Sequence, residues 1–123
     1  MRIYSLNMTP HPQLLIKALE KLDSLALRGP VEVGGEVVEG TRELRVDYVK
    51  RWETSIEALI RISYAVRAGK CWSDVYLFRL TPRGSEVIIL VKRISGMGRT
   101  DPDFVIDELL RVLASEAARG CGP

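Results

Sequence analysis

The sequence predicts a single α+β domain in which an antiparallel sheet packs against two helices, one near each end of the chain. Apolar residues recur at helical spacing over residues 12–28 and again over 102–119, and they mostly alternate with polar residues over 31–94. Two amphipathic helices over one face of a half-buried sheet would bury all three apolar surfaces. The 123 residues, 46% of them hydrophobic, are enough for one core and too few for two. We therefore predict one domain over residues 1–119 and a short tail at 120–123.

The first part of the chain predicts a short strand followed by a helix. Residues 1–8 alternate loosely, and Thr9 and Pro10 suit an N-cap and a first helical position. The stripe that follows consists of Leu15, Ala18, Leu19, Leu22, Leu25 and Ala26. This spacing predicts a helix over 12–28, which the next two residues, glycine and proline, are expected to end.

In the middle of the chain the apolar period changes to two, which predicts a series of strands joined by turns. The expected turns or breaks are at residues 34–35, 40–41, 68–70 and 81–84. For the glycine pair at 34–35 a tight hairpin and a glycine bulge are both open. Residues 87–94 are apolar on both faces until Lys92, which favours a central place in the sheet.

The segment from Ser55 to Arg67 is compatible with either a strand or a helix. As a strand, it places six apolar residues on one face, namely Ile56, Ala58, Ile60, Ile62, Tyr64 and Val66. As a helix, it would extend a stripe that includes Val49 and Trp52. Four of the six alternating residues are β-branched, which favours the strand. The central strands then form an antiparallel meander.

The second helix has the clearest signals. Asp101 suits the cap, Pro102 the first helical position, and Asp103 the positive end of the helix dipole. The expected buried stripe is Val105, Ile106, Leu109, Val112, Leu113 and Ala117. Gly120 is expected to stop the helix, and Gly96-Met97-Gly98 before it to form a flexible loop.

One local motif and the order of the elements resemble the START-like helix-grip superfamily, which includes lipid-transfer proteins and polyketide cyclases. The motif is the predicted hairpin from Tyr76 through the turn Thr81-Pro82-Arg83-Gly84 to Val91. The resemblance implies a curved sheet that grips the C-terminal helix, with a hydrophobic small molecule or lipid in a cavity between them. The residues expected to line that cavity are Tyr48, Ile60, Ile62, Tyr64, Trp72, Tyr76, Phe78, Val105, Leu109 and Val112. In the alternative, these side chains fill the core of a protein that binds another protein.

Basic residues are concentrated in the middle of the chain. Residues 42–99 contain twelve lysines and arginines but only six acids, although the whole chain carries a net charge of only +2. A nucleic-acid-binding module is therefore the second hypothesis. Its phosphate contacts would come from Arg42, Arg45, Lys50, Arg51, Arg79, Lys92 and Arg93. The same charges also suit strands with one face in water, and no helix-turn-helix or glycine-rich RNA-binding signature is present.

The residue types needed for covalent or metal chemistry are scarce. His11 is the single histidine, and the two cysteines, Cys71 and Cys121, lack the spacing of a zinc site. We therefore assign no catalytic residue, cofactor or metal, and we favour a binding protein over an enzyme. The longest apolar run is five residues against about 20 for a membrane span, and the N-terminus has no signal-peptide pattern, so we expect a cytoplasmic protein with free thiols.

Two acids remain ambiguous in the sequence. Asp74 interrupts an apolar strand face, so it is either a buried functional acid or, in the commoner case, is returned to solvent by a bulge. Glu57 and Arg61 fall on the same side of their segment and are expected to form a surface ion pair.

Overall fold

The computed structural model describes residues 1–8, 10–67 and 69–120, with the side chains of the last helix described as far as Glu116. The elements in chain order are β1 (Arg2–Leu6), α1 (Pro12–Lys21), β2 (Ala26–Val33), β3 (Glu36–Arg51), β4 (Ile56–Val66), β5 (Cys71–Arg83), β6 (Glu86–Ser95) and α2 (Asp103–Gly120). None of the helices in these ranges is long and apolar enough to cross a membrane.

The six strands form one antiparallel sheet in the order β1-β6-β5-β4-β3-β2. Strands β2 to β6 are neighbours in sequence and in space, and β1 pairs with the last strand of this meander. The predicted α+β class, the meander and the strand at 55–67 are therefore confirmed. Strand β6 was predicted to be central, but it lies second from the edge, because β1 covers its other side.

Both helices pack on the same face of the sheet, which we call the inner face. That face carries a continuous row of buried side chains from β3 to β6, and the helices contribute leucines to the same cluster. The core members with no more than 1% exposure on the central elements include Leu44, Ile60, Ile62, Phe78, Ile89, Leu109 and Leu113. The opposite, outer face carries mixed side chains such as Ser63, Ser73 and Arg79.

Helix α1 is shorter than the sequence predicts, because pairing between strands overrides the helical pattern. The helix ends at Lys21, and Ser24 adopts a positive φ of 66° that turns the chain back. The Ser24 N–H then donates to the Leu44 carbonyl, and residues 26–33 become β2. The prediction that Leu25 and Ala26 continue the helical stripe is therefore wrong.

The start of α1 also differs from the predicted cap. The N-cap is His11, whose ring Nδ1 accepts a hydrogen bond from the Gln13 N–H at 3.2 Å, and Pro12 takes the first helical position. His11 is an exposed capping residue, in keeping with its interpretation as a surface residue.

Of the two structures left open for the glycine pair, the tight hairpin is the one that forms. Gly34 and Gly35 have φ values of 60° and 82° and join β2 to β3 in a two-residue turn of the kind that glycine favours. The predicted break at 40–41 is wrong, since β3 runs through it. A Cβ on Gly40 would lie 2.5 Å from the Ala65 carbonyl oxygen, so this glycine allows close approach of two strands instead of a turn.

The later turns are displaced slightly from their predicted positions. Residues 81–83 continue β5, with Pro82 opposite Val87, and the hairpin turn is at 84–85. The predicted turn at 68–70 joins β4 to β5, although Ala68 lies outside the described residues.

Helix α2 begins as predicted and is joined to α1 by charged side chains. The Asp101 carboxylate accepts from the Asp103 N–H at 3.0 Å, which caps the helix. Glu116 contacts both Lys17 and Lys21 of α1, and hydrogen bonds from these lysines hold the pKa of its carboxyl below the usual range. The helix extends to Gly120; the tail predicted after it, including Cys121, lies outside the described residues.

Candidate functional site

Nine of the ten residues predicted to line a ligand cavity lie in the layer between the sheet and the helices. Seven are buried, namely Ile60, Ile62, Tyr64, Tyr76, Phe78, Val105 and Leu109. Trp72 and Val112 are half-buried and pack against that cluster. In the middle of this layer the side chains fill the space between the sheet and α2. This part of the layer agrees with the alternative in which these side chains fill the core.

Tyr48 is the exception, and its predicted place on the inner face is wrong. A bulge in β3 between Val46 and Tyr48 adds one residue, which reverses the alternation beyond it. The Tyr48 ring therefore lies on the outer face with 38% exposure, and its hydroxyl donates to the Glu57 carboxylate at 3.0 Å.

The Glu57 carboxylate has a different ionic partner from the one predicted. Arg79, opposite Glu57 on β5, donates to it at 3.2 Å, whereas the expected pair with Arg61 does not form. Hydrogen bonds from Tyr48 and Arg79 lower the pKa of Glu57, which makes it a charged outer-face residue with a structural role.

The open space nearest the predicted site is a pocket of about 460 Å³ at one end of the sheet, which we call the rim pocket. It lies between the β2–β3 hairpin, the inner face of β3 and β4, and the segment that leads into α2. Its lining residues are Arg2, Pro30, Val31, Glu32, Gly34, Gly35, Arg42, Tyr64, Gly98, Arg99, Thr100, Asp101 and Phe104. On the other side of the same segment, Tyr76 lines a second pocket of about 410 Å³.

Asp74 fixes one wall of the rim pocket. Its side chain accepts from the Gly98 N–H at 2.8 Å and from both the N–H and the hydroxyl of Thr100, at 2.8 and 2.5 Å. With 1% exposure it is fully buried, so the expectation that a bulge returns it to solvent is wrong. Burial alone would raise the pKa of Asp74, but these donors outweigh it and lower the pKa below its usual value.

The loop predicted to be flexible is held closely against this carboxylate. A Cβ on Gly96 would lie 2.0 Å from Oδ1 of Asp74 and 2.6 Å from the Ser73 carbonyl, and its φ of 99° also requires glycine. Gly96 is therefore needed for close approach. The flexibility expected of residues 96–98 stays a prediction.

Two buried tyrosines hold the next part of the segment. The Tyr76 hydroxyl donates to the Thr100 carbonyl at 3.0 Å, and the Tyr64 hydroxyl accepts from the Asp101 N–H at 2.9 Å. Burial raises the pKa of both phenols, so both remain neutral. The hydroxyls of the predicted lining residues thus position the start of α2.

Strand β1 completes this region from the edge of the sheet. The Arg2 guanidinium contacts the carboxylates of Asp101 and Asp103 at 2.8 and 2.9 Å, and the Tyr4 hydroxyl donates to Asp103. These contacts neutralise the two acids beside the rim pocket.

Three side chains from three elements meet inside the rim pocket and form what we call the Arg42 cluster. Arg42 on β3 lies directly opposite Tyr64 on β4, and its guanidinium carbon is 4.9 Å from the ring centroid of Phe104 on α2. The Tyr64 and Phe104 ring centroids are 6.4 Å apart. The cluster offers a cation, a phenol and an aromatic surface to whatever enters the pocket.

The sequence interpretation missed the significance of Arg42 and did not include Phe104. Arg42 was considered only as a phosphate contact, yet it has the same parity as Leu44 and Val46, which lie on the inner face. That alternation was a usable signal. The contact with Phe104 depends on how α2 crosses the sheet, which no local pattern specifies.

Over the ranges that the structure describes, no set of three or more His, Cys, Asp or Glu side chains is placed to hold a metal ion. Cys71 is an exposed free thiol.

The cations named for nucleic-acid binding do not form one surface. By strand register, three of the seven, Arg42, Arg51 and Arg93, fall on the side of the inner face. The other four, Arg45, Lys50, Arg79 and Lys92, belong to the outer face. Arg45 and Arg79 are also ion-paired with Glu43 and Glu57. The nucleic-acid hypothesis stays a prediction, with fewer free cations than the sequence suggested.

Comparison with known proteins gives no relative from which a function could be transferred. No family model, curated protein or solved structure matches the chain.

Proposed function

We propose that this domain binds a small, partly apolar molecule in the rim pocket, as a carrier or sensor without covalent chemistry. The observation that carries the proposal is the position of this pocket between the sheet and the beginning of α2, with Tyr64 and Phe104 in its wall. Ligand sites are typically concave and contain aromatic surface with a few well-placed polar groups.

The strand order supports the resemblance to helix-grip proteins. The first strand lies beside the last one, the others form a meander, and a long helix closes the chain. In that superfamily the ligand lies between sheet and C-terminal helix. Here we place the ligand at the end of that interface, because Ile60, Phe78 and Leu109 are at most 1% exposed and fill its middle.

A titration with the uncharged dye N-phenyl-1-naphthylamine tests this proposal. We expect saturable binding with a rise in fluorescence, because the dye enters an apolar environment. Phe104→Leu removes one aromatic wall, and we expect binding about three- to tenfold weaker. Leu110→Ala is the control, since Leu110 lies on the same helix but is exposed and outside the pocket lining.

The folded state of each variant is followed by circular dichroism. If the folded wild-type protein shows no saturable binding, the proposal is wrong, and a packed domain that binds another protein becomes the better account. If Phe104→Leu and Leu110→Ala weaken dye binding equally, the dye binds elsewhere on the molecule.

A further inference from the structure

We propose that the ligand of the rim pocket is a small organic molecule that carries an oxyanion, such as a carboxylate, sulfonate or phosphate, and that Arg42 binds this group. The inference rests on the proposed function and specifies its ligand class. It depends on the placement of Arg42 on the inner face, beside the Phe104 ring and without an acidic partner within 4.0 Å among the described residues.

Arg42 lies on the inner face, where most neighbouring positions of β3 and β4 carry apolar side chains. It follows the alternation that buries Leu44, and its cross-strand partners are Tyr64 and Leu27. It is half-buried, and its guanidinium lies over the Phe104 ring. A charged group in such a place loses part of its hydration, so it is costly unless a partner compensates.

Within the described residues, no carboxylate lies within 4.0 Å of the Arg42 guanidinium. Arg2, Arg45, Arg79 and Arg111 by contrast each have an acidic partner within that distance. No side-chain nitrogen or oxygen of the described part is both fully buried and unpaired. The unpaired N–H groups of Arg42 are therefore accessible from outside the core. Arg42 lines the rim pocket, so these groups are accessible from that pocket.

A guanidinium with free donors matches an oxyanion well. Its fork of N–H groups pairs with two oxygens at once, and such charge-assisted bonds are stronger than neutral ones. The contact with Phe104 holds the guanidinium plane in place and leaves its edge free for this pairing.

Tyr64 supplies a second donor for the same group. Its hydroxyl oxygen accepts from the Asp101 N–H, while its own hydrogen has no acceptor within the described ranges. Arg99, exposed in the pocket lining, adds positive charge. Of the two acids in the lining, Asp101 is already paired with Arg2, and Glu32 is exposed on the edge strand β2.

Polar side chains form most of the pocket wall, so the apolar part of the ligand is expected to be small. Val31, Pro30 and the Phe104 ring line the pocket next to the cation. A volume of about 460 Å³ suits a small organic molecule and not a folded chain. Two glycines at the hairpin keep the opening free of side chains.

Two dyes that differ by one anionic group provide the test. The probes are 1-anilinonaphthalene-8-sulfonate and its uncharged counterpart N-phenyl-1-naphthylamine. We expect the wild-type protein to bind the sulfonate at least about tenfold more tightly, as a hydrogen-bonded charge pair would give. In Arg42→Gln this preference should disappear while the affinity for the uncharged dye changes by less than about twofold.

The matched control is Arg61→Gln, which removes an exposed outer-face arginine that also has no carboxylate within 4.0 Å in the described part of the chain. It should keep the preference for the sulfonate. Arg42→Lys should keep part of it, because a lysine offers charge without the fork. If Arg42→Gln does not fold, Arg42→Lys is the variant that tests the inference.

Equal affinity of the wild type for both dyes, or a preference that survives in Arg42→Gln, would overturn the inference and leave the proposed function standing. Failure of both dyes to bind would overturn the inference together with the proposed function.

Discussion

Asp74 lies with 1% exposure between β5 and the segment that leads into α2, and three donors converge on its carboxylate. A buried acid in a cleft is often a candidate for catalysis. Here the donors stabilise the charged form and lower the pKa, which is the opposite of what a general acid needs. Asp74 therefore has a structural role, because its hydrogen bonds fix the wall of the rim pocket.

The substitution Asp74→Asn should destabilise the protein by about 1–3 kcal/mol at neutral pH, because an amide cannot accept from all three donors. The free energy of unfolding is measured by urea denaturation. Asp107→Asn is the matched control, because Asp107 is an exposed acid on α2. If both variants lose the same stability, the hydrogen bonds to Asp74 are not important.

The same residue predicts a pH dependence. Because folding lowers the pKa of Asp74, its contribution is complete above the unfolded value of about 3.9 and is lost as the pH falls through the folded value. The difference in unfolding free energy between wild type and Asp74→Asn should therefore be constant near neutrality and shrink below about pH 4. A difference that stays constant down to the lowest pH at which the protein is folded would show that the pKa is not lowered.

At the scale of elements, helix α2 joins the core to the rim pocket. Its buried side includes Val105, Leu109 and Leu113, which pack over the sheet, while Phe104 in its first turn faces the pocket. The N-terminal end of the helix is fixed by Asp101, whose carboxylate accepts from the Asp103 N–H and whose own N–H donates to the Tyr64 hydroxyl.

The substitution Leu109→Ala should destabilise the protein by about 2–5 kcal/mol, because Leu109 is 1% exposed in a filled layer. Leu110→Ala, which changes the neighbouring residue at 39% exposure, should stay within about 0.5 kcal/mol of wild type. Both are measured by denaturant unfolding. A small loss in Leu109→Ala, recovered by added apolar ligand, would show that a cavity lies beneath the helix.

The elements that could be predicted from sequence are those in which the local sequence pattern favours the same structure as the contacts with the rest of the fold. Strand β4 and helix α2 have strong periodicity and are where they were expected. The end of α1 was not predictable, because a helical pattern at Leu25 and Ala26 yields to pairing with β3. The predicted face of Tyr48 was wrong because of a bulge in β3. One extra residue is enough to produce such a bulge, and it leaves no marked change in the composition of the strand.

The candidate site was only partly accessible from sequence for the same reason. Tyr64 and Tyr76 were predicted to line a ligand site, and both now line open pockets. Asp74 was singled out, but its burial depends on Gly96 and Thr100, which lie more than twenty residues away. Contacts between distant segments of this kind carry no local signal.

At the scale of the whole molecule, the sheet and the two helices enclose a filled core, and the open space nearest the predicted site is the rim pocket at the end of the sheet. The segment that closes this end is held by β1, β4 and β5 together. We therefore propose that recognition takes place at this rim and not in an interior cavity.

A titration of ¹⁵N-labelled protein with N-phenyl-1-naphthylamine, followed by amide chemical shifts, tests this claim most directly. We expect saturable shifts grouped at residues 30–35 and 98–104 and at Arg42 and Tyr64, with the outer face unchanged. Shifts centred on outer-face residues such as Leu59 and Leu77, or no saturable shifts at all, would contradict it.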